Sequence, residues 1–233
     1  KLIESDVIPT TSQASPDSFE KVYKEVTENG DTALVITLSS KLSGTYQSAV
    51  IAAEEYEGKV YVVDSSSVTI GTGILTEYEL KLNDAGKSDK EIYNELNIVK
   101  NKICIIAMLD TLEYLKKGGR ISKTAAIAGS MLNIKPVVNI IDGEINTLGK
   151  ARGSKQGNNL LIKEIQNAGG VDFKMPVLLG YTGLSDILIN KYIEDSAYLW
   201  ENCVGSLNTT VIGSVIGTHA GPGAVAAAFF KNN

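Results

Sequence analysis

The chain has 233 residues, 43% hydrophobic and 21% charged, which is the composition of a folded globular protein rather than a disordered or fibrous one. Its formal net charge of −5 argues against non-specific binding to nucleic acid, which needs a basic surface. One histidine and two well-separated cysteines exclude a multi-histidine metal site and a disulfide framework. There is no apolar leader and no apolar run of about 18 residues, so a cytoplasmic location is expected.

The first half of the sequence predicts buried strands that alternate with helices. Ser15 and Pro16 are typical of a helix start, and Gly30 ends this first helix. Further helices are expected after Gly44 and Gly73 and at the capping box that begins at Ser88. Continuous apolar runs predict strands over residues 33–38, 59–63 and 103–107. This alternation predicts a three-layer lobe with a parallel sheet over residues 1–108, and residues 1–14 lack the strand that would begin such a lobe.

From about Leu109 the pattern changes to that of a mixed sheet. Asp142 and Gly143 lie between two apolar runs and predict a hairpin. The remaining elements are expected as helices over 111–117, 124–132, from 154 and over 185–202, and as strands over 177–181 and 210–216. The sequence therefore predicts an α/β protein with a second, mixed-sheet lobe over residues 109–233.

Two hydroxyl-rich turns precede predicted helices. One contains Thr11 and Ser12, and the other contains Ser43 and Gly44 between a buried strand and its helix. Ligands of open α/β sheets bind at this end of the strands, where helix N-terminal N–H groups attract anions. Serine and threonine also cap helices, so both the capping and the anion-binding interpretation remain open at these turns.

Three further positions attract attention. Arg120 directly follows a glycine pair that ends a helix, and Arg152 lies in the densest basic segment of an acidic chain. Such a segment is either a solvated turn or a contact for phosphate or a partner. His219 is surrounded by glycines and a proline after an apolar run, which predicts a stiff loop in which the histidine is either structural or functional.

Several common catalytic motifs are absent from the sequence. It contains no dinucleotide-binding fingerprint, no P-loop and no Gly-x-Ser-x-Gly nucleophile motif. A hydrolase of acyl or phosphate esters that uses Ser43 or Thr11 as nucleophile and His219 as base is an alternative hypothesis, because the sequence does not show whether these side chains meet.

Four segments, in this order, resemble the DegV family. They are Thr10–Gln13, Leu42–Tyr46, Leu109–Leu112 continuing to Gly118–Ser122, and Gly217–Gly223. The resemblance implies two α/β lobes with a long-chain fatty acid between them and no cofactor. It implies that Thr11, Ser12, Ser43, Gly44 and His219 bind the carboxylate and that Arg120 supports them.

The resemblance also implies a non-catalytic subunit that presents the fatty acid to a fatty acid kinase, with Arg152 at the partner contact. It leaves a transient peripheral contact with a membrane open, and it implies no nucleic-acid partner. Ala14 departs from the proline of many members, and the N-terminal strand of the family is missing. Apolar segments at 68–75, 127–134 and 224–230 are expected to line the acyl tunnel. A carrier of another anionic lipid is the second alternative.

Overall fold

The computed structural model describes residues 9–121, 133–203 and 206–232, which form a mixed α/β structure. The helices are α1 Pro16–Glu28, α2 Thr45–Ala53, α3 Ile70–Asp84, α4 Asp89–Val99, α5 Glu113–Lys117, α6 Gly153–Asn167, α7 Ile187–Asp195 and α8 Ser214–Ala220. The strands are β1 Ala33–Thr37, β2 Val60–Asp64, β3 Ile103–Met108, β4 Ile134–Ile141, β5 Glu144–Arg152, β6 Leu178–Tyr181, β7 Thr209–Val211 and β8 Val225–Phe230. Within the described ranges, no helix is both long enough and apolar enough to span a bilayer.

The first sheet consists of the parallel strands β1 and β2 in the part of the chain that is described. Side chains alternate along each strand, so one face packs on α1 and α2 and the other on α3 and α4. Val35 and Val62 lie with Tyr23 on the first face, whereas Ile36 and Val63 lie on the second. Both faces are apolar because both are covered, and this confirms the predicted three-layer arrangement.

The second sheet has six strands in the order β5-β4-β3-β8-β6-β7, and it is mixed because only β6 and β7 run parallel. Its outer face packs on α6 and α7 around Phe229 and Leu161. Its inner face packs on α3, which belongs to the first half of the chain, through Ile70 and Ile74. The two sheets therefore share α3 as a common layer. The α5 segment covers another part of the inner face.

The hairpin forms as predicted between β4 and β5. Asp142 and Gly143 both have positive φ, of 52° and 80°, as the turn between twisted strands requires. The turn reaches the other sheet, where the hydroxyl of Ser39 donates to the Gly143 carbonyl oxygen at 2.7 Å. A side chain at residue 143 would overlap Ser39 Oγ, so this contact needs glycine.

Several predicted elements are corrected by the structure. Strand β3 does not extend the parallel sheet; it lies between β4 and β8 and is antiparallel to both. The strand predicted over 210–216 ends at Val211, and residues 214–220 form α8, so His219 lies in a helix rather than in a stiff loop. The helix predicted over 185–202 is α7 followed by a short 3₁₀ turn. Strand β8 was not predicted, and α3 begins at Ile70 rather than after Gly73.

Two predictions concern parts of the chain where the structure does not decide. The helix predicted over 124–132 lies outside the described residues. The division of the chain into lobes at residues 108 and 109 stays a prediction, although β3 pairs with strands that follow it in the sequence.

Candidate functional site

A cavity lies between the inner face of the second sheet and the loops that follow β1 and β2. Its walls enclose about 1,020 Å³ of space free of protein atoms, part of it open to solvent. Apolar side chains form most of the wall. They come from β3 and β4 (Ile105, Ala107, Val138, Ile140), from α8 and the residue before its N-cap (Ile212, Val215, Ile216, Ala220), and from Leu38, Leu42, Val68, Leu109, Leu115, Ile145, Ala224 and Ala226.

Small residues across the sheet create the room for this cavity. Ala107 of β3 pairs with Ala226 of β8, which in turn pairs with Gly180 of β6. We call Ala107, Ala226 and Gly180 the small-residue row. Paired residues of neighbouring strands lie on the same face. The short side chains of the row therefore leave space above the middle of the inner face. At Gly180 a Cβ atom would lie 3.0 Å from Ile70 and 3.1 Å from Ile212, so these two side chains close over the glycine.

The polar end of the cavity is formed by the turns before α1 and α2. Thr11, Ser12, Ser43 and Thr45 line it. The hydroxyl groups of Ser43 and Thr45 are 2.9 Å apart, and the backbone N–H of Thr45 donates to Ser43 Oγ at 3.3 Å. Because Ser43 and Thr45 share one hydrogen bond, three of the four hydroxyl groups, together with the first turn of α2, can donate hydrogen bonds to an anionic group at this end.

Gly44 is the N-cap residue of α2, and its role is to admit a neighbouring side chain. A Cβ atom at this position would lie 1.9 Å from Gln13 Oε1, so the amide of Gln13 packs directly on the glycine. Gln13 Nε2 donates to Ser48 Oγ of α2 at 3.0 Å. These two contacts attach the turn that carries Thr11 and Ser12 to the start of α2.

His219 reaches the cavity from the last turn of α8. Its Nε2 atom lies 2.7 Å from the hydroxyl oxygen of Thr11. Its Nδ1 atom is buried and has no hydrogen-bond partner in the described part of the chain. When the neutral ring carries its proton on Nε2, it donates to Thr11, and the hydroxyl hydrogen of Thr11 is then free to be donated to a ligand.

Burial, and to a lesser extent the positive charge of Arg120, lower the pKa of His219 from its ordinary value of 6.5. The neutral form is therefore the one present at neutral pH. Arg120 is itself held by two carbonyl oxygens, since its Nη1 donates to Gly118 at 2.6 Å and its Nε to Leu42 at 3.2 Å. Arg120 thus places a positive charge in the wall of the same cavity as the hydroxyl groups.

Comparisons with known proteins identify the family. The model of the DegV family, a family of uncharacterised proteins, matches residues 1–232. The chain belongs to the DegV family. A DegV domain-containing protein of Caldanaerobacter subterraneus subsp. tengcongensis is 36% identical over 99% of this chain and 81% of its own length. Another, from Deinococcus radiodurans, is 33% identical over 95% of this chain and 78% of its own.

Solved DegV structures share the fold. A DegV protein of Thermus thermophilus described as binding fatty acid is 31% identical, with a TM-score of 0.85 over 96% of this chain and 80% of its own. A DegV lipid-binding protein of Thermotoga maritima is 28% identical, with a TM-score of 0.83 over 99% of this chain and 80% of its own.

Most of the site residues predicted for this DegV chain meet in one place. The cavity is lined by five of them: Thr11, Ser12, Ser43, His219 and Arg120. Gly44 does not line it but contacts the side chain of Gln13. Their individual roles stay predictions. Arg152 is the exposed last residue of β5 and does not belong to the described lining.

The predicted tunnel walls are correct only in part. Val68 of the first segment and Ala224 and Ala226 of the last line the cavity. Val225 and Phe229 face the opposite side of the sheet. In the middle segment, 127–132 lies outside the described residues. Sequence reasoning missed the contributions of β3, β4 and α8, and also the supporting role of Gln13, although its polar turn had been singled out.

The contacts of His219 can be compared with those that the hydrolase alternative requires. His219 pairs with Thr11, one of the two nucleophiles of that alternative, rather than with Ser43, and no carboxylate orients its Nδ1 atom among the residues described. Those residues also contain no cluster of three or more His, Cys, Asp or Glu side chains that could hold a metal ion.

Proposed function

We propose that the protein binds one long-chain fatty acid, with the acyl chain in the apolar cavity and the carboxylate at its polar end. The single observation that carries this proposal is the division of the cavity into long aliphatic walls and one end with hydroxyl groups, a neutral imidazole and Arg120. The Thermus thermophilus relative is described as binding fatty acid, and a Thermotoga maritima relative that is 29% identical is described as having a fatty-acid-binding function.

The acyl chain supplies most of the affinity in this proposal. Burial of one methylene contributes about 0.8 kcal/mol, so about sixteen methylenes contribute on the order of 12 kcal/mol before the entropy cost of binding. The carboxylate loses water on entering the cavity, which is costly unless hydrogen bonds replace it. Thr11, Ser12, Ser43 and the backbone N–H groups near Gly44 supply those bonds, and Arg120 supplies charge.

The hydrogen bonds at the polar end suit a carrier that passes its ligand on. Neutral hydroxyl donors hold a carboxylate without the tight ion pair that would occupy its oxygen atoms. We therefore propose that the protein is non-catalytic and presents the carboxylate to a fatty acid kinase, which supplies the nucleotide for formation of the acyl phosphate. Exposed Arg152 is proposed as a contact for that partner.

Mass spectrometry tests the proposal directly. Protein purified from a bacterial host should carry an additional mass, under native conditions, that denaturation releases as a long-chain fatty acid. The Thr11→Ala, Ser43→Ala double variant should carry little of it, whereas Ser40→Ala, at an exposed position of the same turn, should carry as much as the wild type. Release of a different anionic lipid would support the second alternative. Protein that is empty and takes up no fatty acid on titration would refute the proposal.

A further inference from the structure

A second cavity lies on the outer face of the six-stranded sheet, beneath α6. It has about 510 Å³ of space free of protein atoms, part of it open to solvent. Its wall is mainly apolar and includes Cys104, Leu148 and Ala168, while Glu164 and Asn167 of α6 lie at its rim. The first cavity lies on the inner face of the same sheet, yet the two cavities share three lining residues: Ile105, Asn139 and Ile140.

These shared residues lie where β3 and β4 separate. The two strands pair from Met108 and Val137 to Ile106 and Asn139, and the pairing stops there. Beyond this point β3 continues to pair with β8 on one side, and β4 continues to pair with β5 on the other. No ladder joins Ile105 to Ile140, and we call this unpaired place between the two strands the opening.

The chemistry of the opening agrees with a passage rather than a packed wall. The Oδ1 atom of Asn139 is buried and has no hydrogen-bond partner among the described residues. Buried polar atoms are usually paired, so this acceptor marks a place where the packing of the protein is incomplete. Ile105, which is buried, and Ile140, which is partly buried, lie beside the opening on the inner face, and both line the first cavity.

We propose that the two cavities form one channel, and that the methyl end of a long, straight acyl chain passes between β3 and β4 and ends beside Cys104. This inference rests on the proposed function. It assigns the second cavity to the last methylenes of the chain and makes the opening between the strands a determinant of chain length. Shorter fatty acids fill the first cavity alone, and longer ones also fill the second.

The thiol of Cys104 reports on the second cavity. Burial raises the pKa of this thiol, so it should react slowly with a maleimide, and best at mildly alkaline pH. The Cys203→Ser variant leaves Cys104 as the single thiol of the chain. In this variant, saturating arachidic acid should slow alkylation of Cys104 at least about ten-fold, whereas saturating lauric acid should leave the rate unchanged. Equal protection by the two acids, or protection by neither, would overturn the channel.

A second variant closes the far end without touching the first cavity. Ala168 lines only the second cavity, and its backbone is in the ordinary right-handed region, so Ala168→Leu fills that space without backbone strain. Its affinity for arachidic acid should fall about four-fold for each methylene excluded, while its affinity for lauric acid stays the same. Loss of affinity for both acids, or for neither, would contradict the inference.

The two proposals fail in different ways. If no fatty acid binds at all, the proposed function is wrong. If both acids bind with the carboxylate site intact, but the reactivity of Cys104 does not depend on chain length, only the channel is wrong. The Cys104 measurement also stands by itself if Ala168→Leu does not fold.

Discussion

The contact between Gly118 and His219 gives a sharp test of the polar end of the cavity. A Cβ atom on Gly118 would lie 2.2 Å from His219 Nδ1, whereas ordinary contacts begin at 3.4 Å. The backbone of Gly118, with φ −73° and ψ −9°, accepts alanine, and the imidazole is the main obstacle to the new methyl group, with the Tyr114 carbonyl oxygen next at 3.2 Å. In Gly118→Ala the ring must therefore move by about 1 Å (3.4 − 2.2 = 1.2).

A movement of this size breaks the hydrogen bond between His219 and Thr11, which is 2.7 Å long. A hydrogen bond contributes about 0.5–1.5 kcal/mol, so we expect fatty acid to bind about two- to twelve-fold more weakly to Gly118→Ala. Titration of delipidated protein with palmitic acid by calorimetry measures this change. Wild-type affinity in a folded Gly118→Ala protein would refute the pairing of His219 with Thr11 as a determinant of binding.

Two controls separate this effect from general damage. Gly217→Ala places a methyl group in α8 two residues before His219, where a Cβ atom meets nothing within 4 Å. Fatty acid binding should therefore not change in this variant. Alanine also suits a helix interior better than glycine, and the free energy of unfolding should rise by about 0.5–1 kcal/mol. In a double-mutant cycle, adding Gly118→Ala to His219→Gln should cause no further loss of affinity, because the ring has already been removed.

Three further predictions follow from the cavity and its supports. Ala226→Leu should abolish most fatty acid binding with little change in Tm, because the leucine side chain extends into the cavity. Ala227→Leu, on the packed outer face, should instead lower the free energy of unfolding by about 1–3 kcal/mol, which urea unfolding measures. Gly44→Ala should weaken fatty acid binding in a titration because it displaces Gln13, and wild-type affinity would contradict that role. Because the pKa of His219 is lowered in the folded chain, the unfolded chain takes up a proton near pH 6.5 and the folded chain only at lower pH. The free energy of unfolding should therefore fall as the pH drops below about 6.5. Urea unfolding of His219→Gln should lack this part of the pH dependence.

Local signals in the sequence determine most of the first half of the fold. Ser15 caps α1 and Ser88 forms the predicted capping box of α4, because these contacts involve residues only three positions apart. The Asp142-Gly143 turn is equally local. The placement of β3 is not, because an apolar strand of six residues suits a parallel or an antiparallel neighbour, and only pairing with distant β8 decides between them.

The two ends of the site differ in the same way. The hydroxyl groups of Thr11 and Ser43 stand out in the sequence, since polar turns after apolar runs are conspicuous. The walls do not stand out, because Ala226 has the same composition signal whether it faces a cavity or a packed core. His219 was placed in a loop because its neighbouring glycines are unusual in helices, yet Gly217 is helical in α8. No local signal predicts that a helix will tolerate glycine there.

The small-residue row makes the inner face of the second sheet incomplete as a core. A ligand that fills this space adds to the stability of the folded chain by mass action, by about 2.7 kcal/mol when it is present at a hundredfold excess over its Kd. Cellular proteases act on the unfolded fraction, so a protein whose core is completed by a lipid is degraded faster when that lipid is scarce. If the protein binds a fatty acid as proposed, its lifetime should therefore rise and fall with the supply of that ligand.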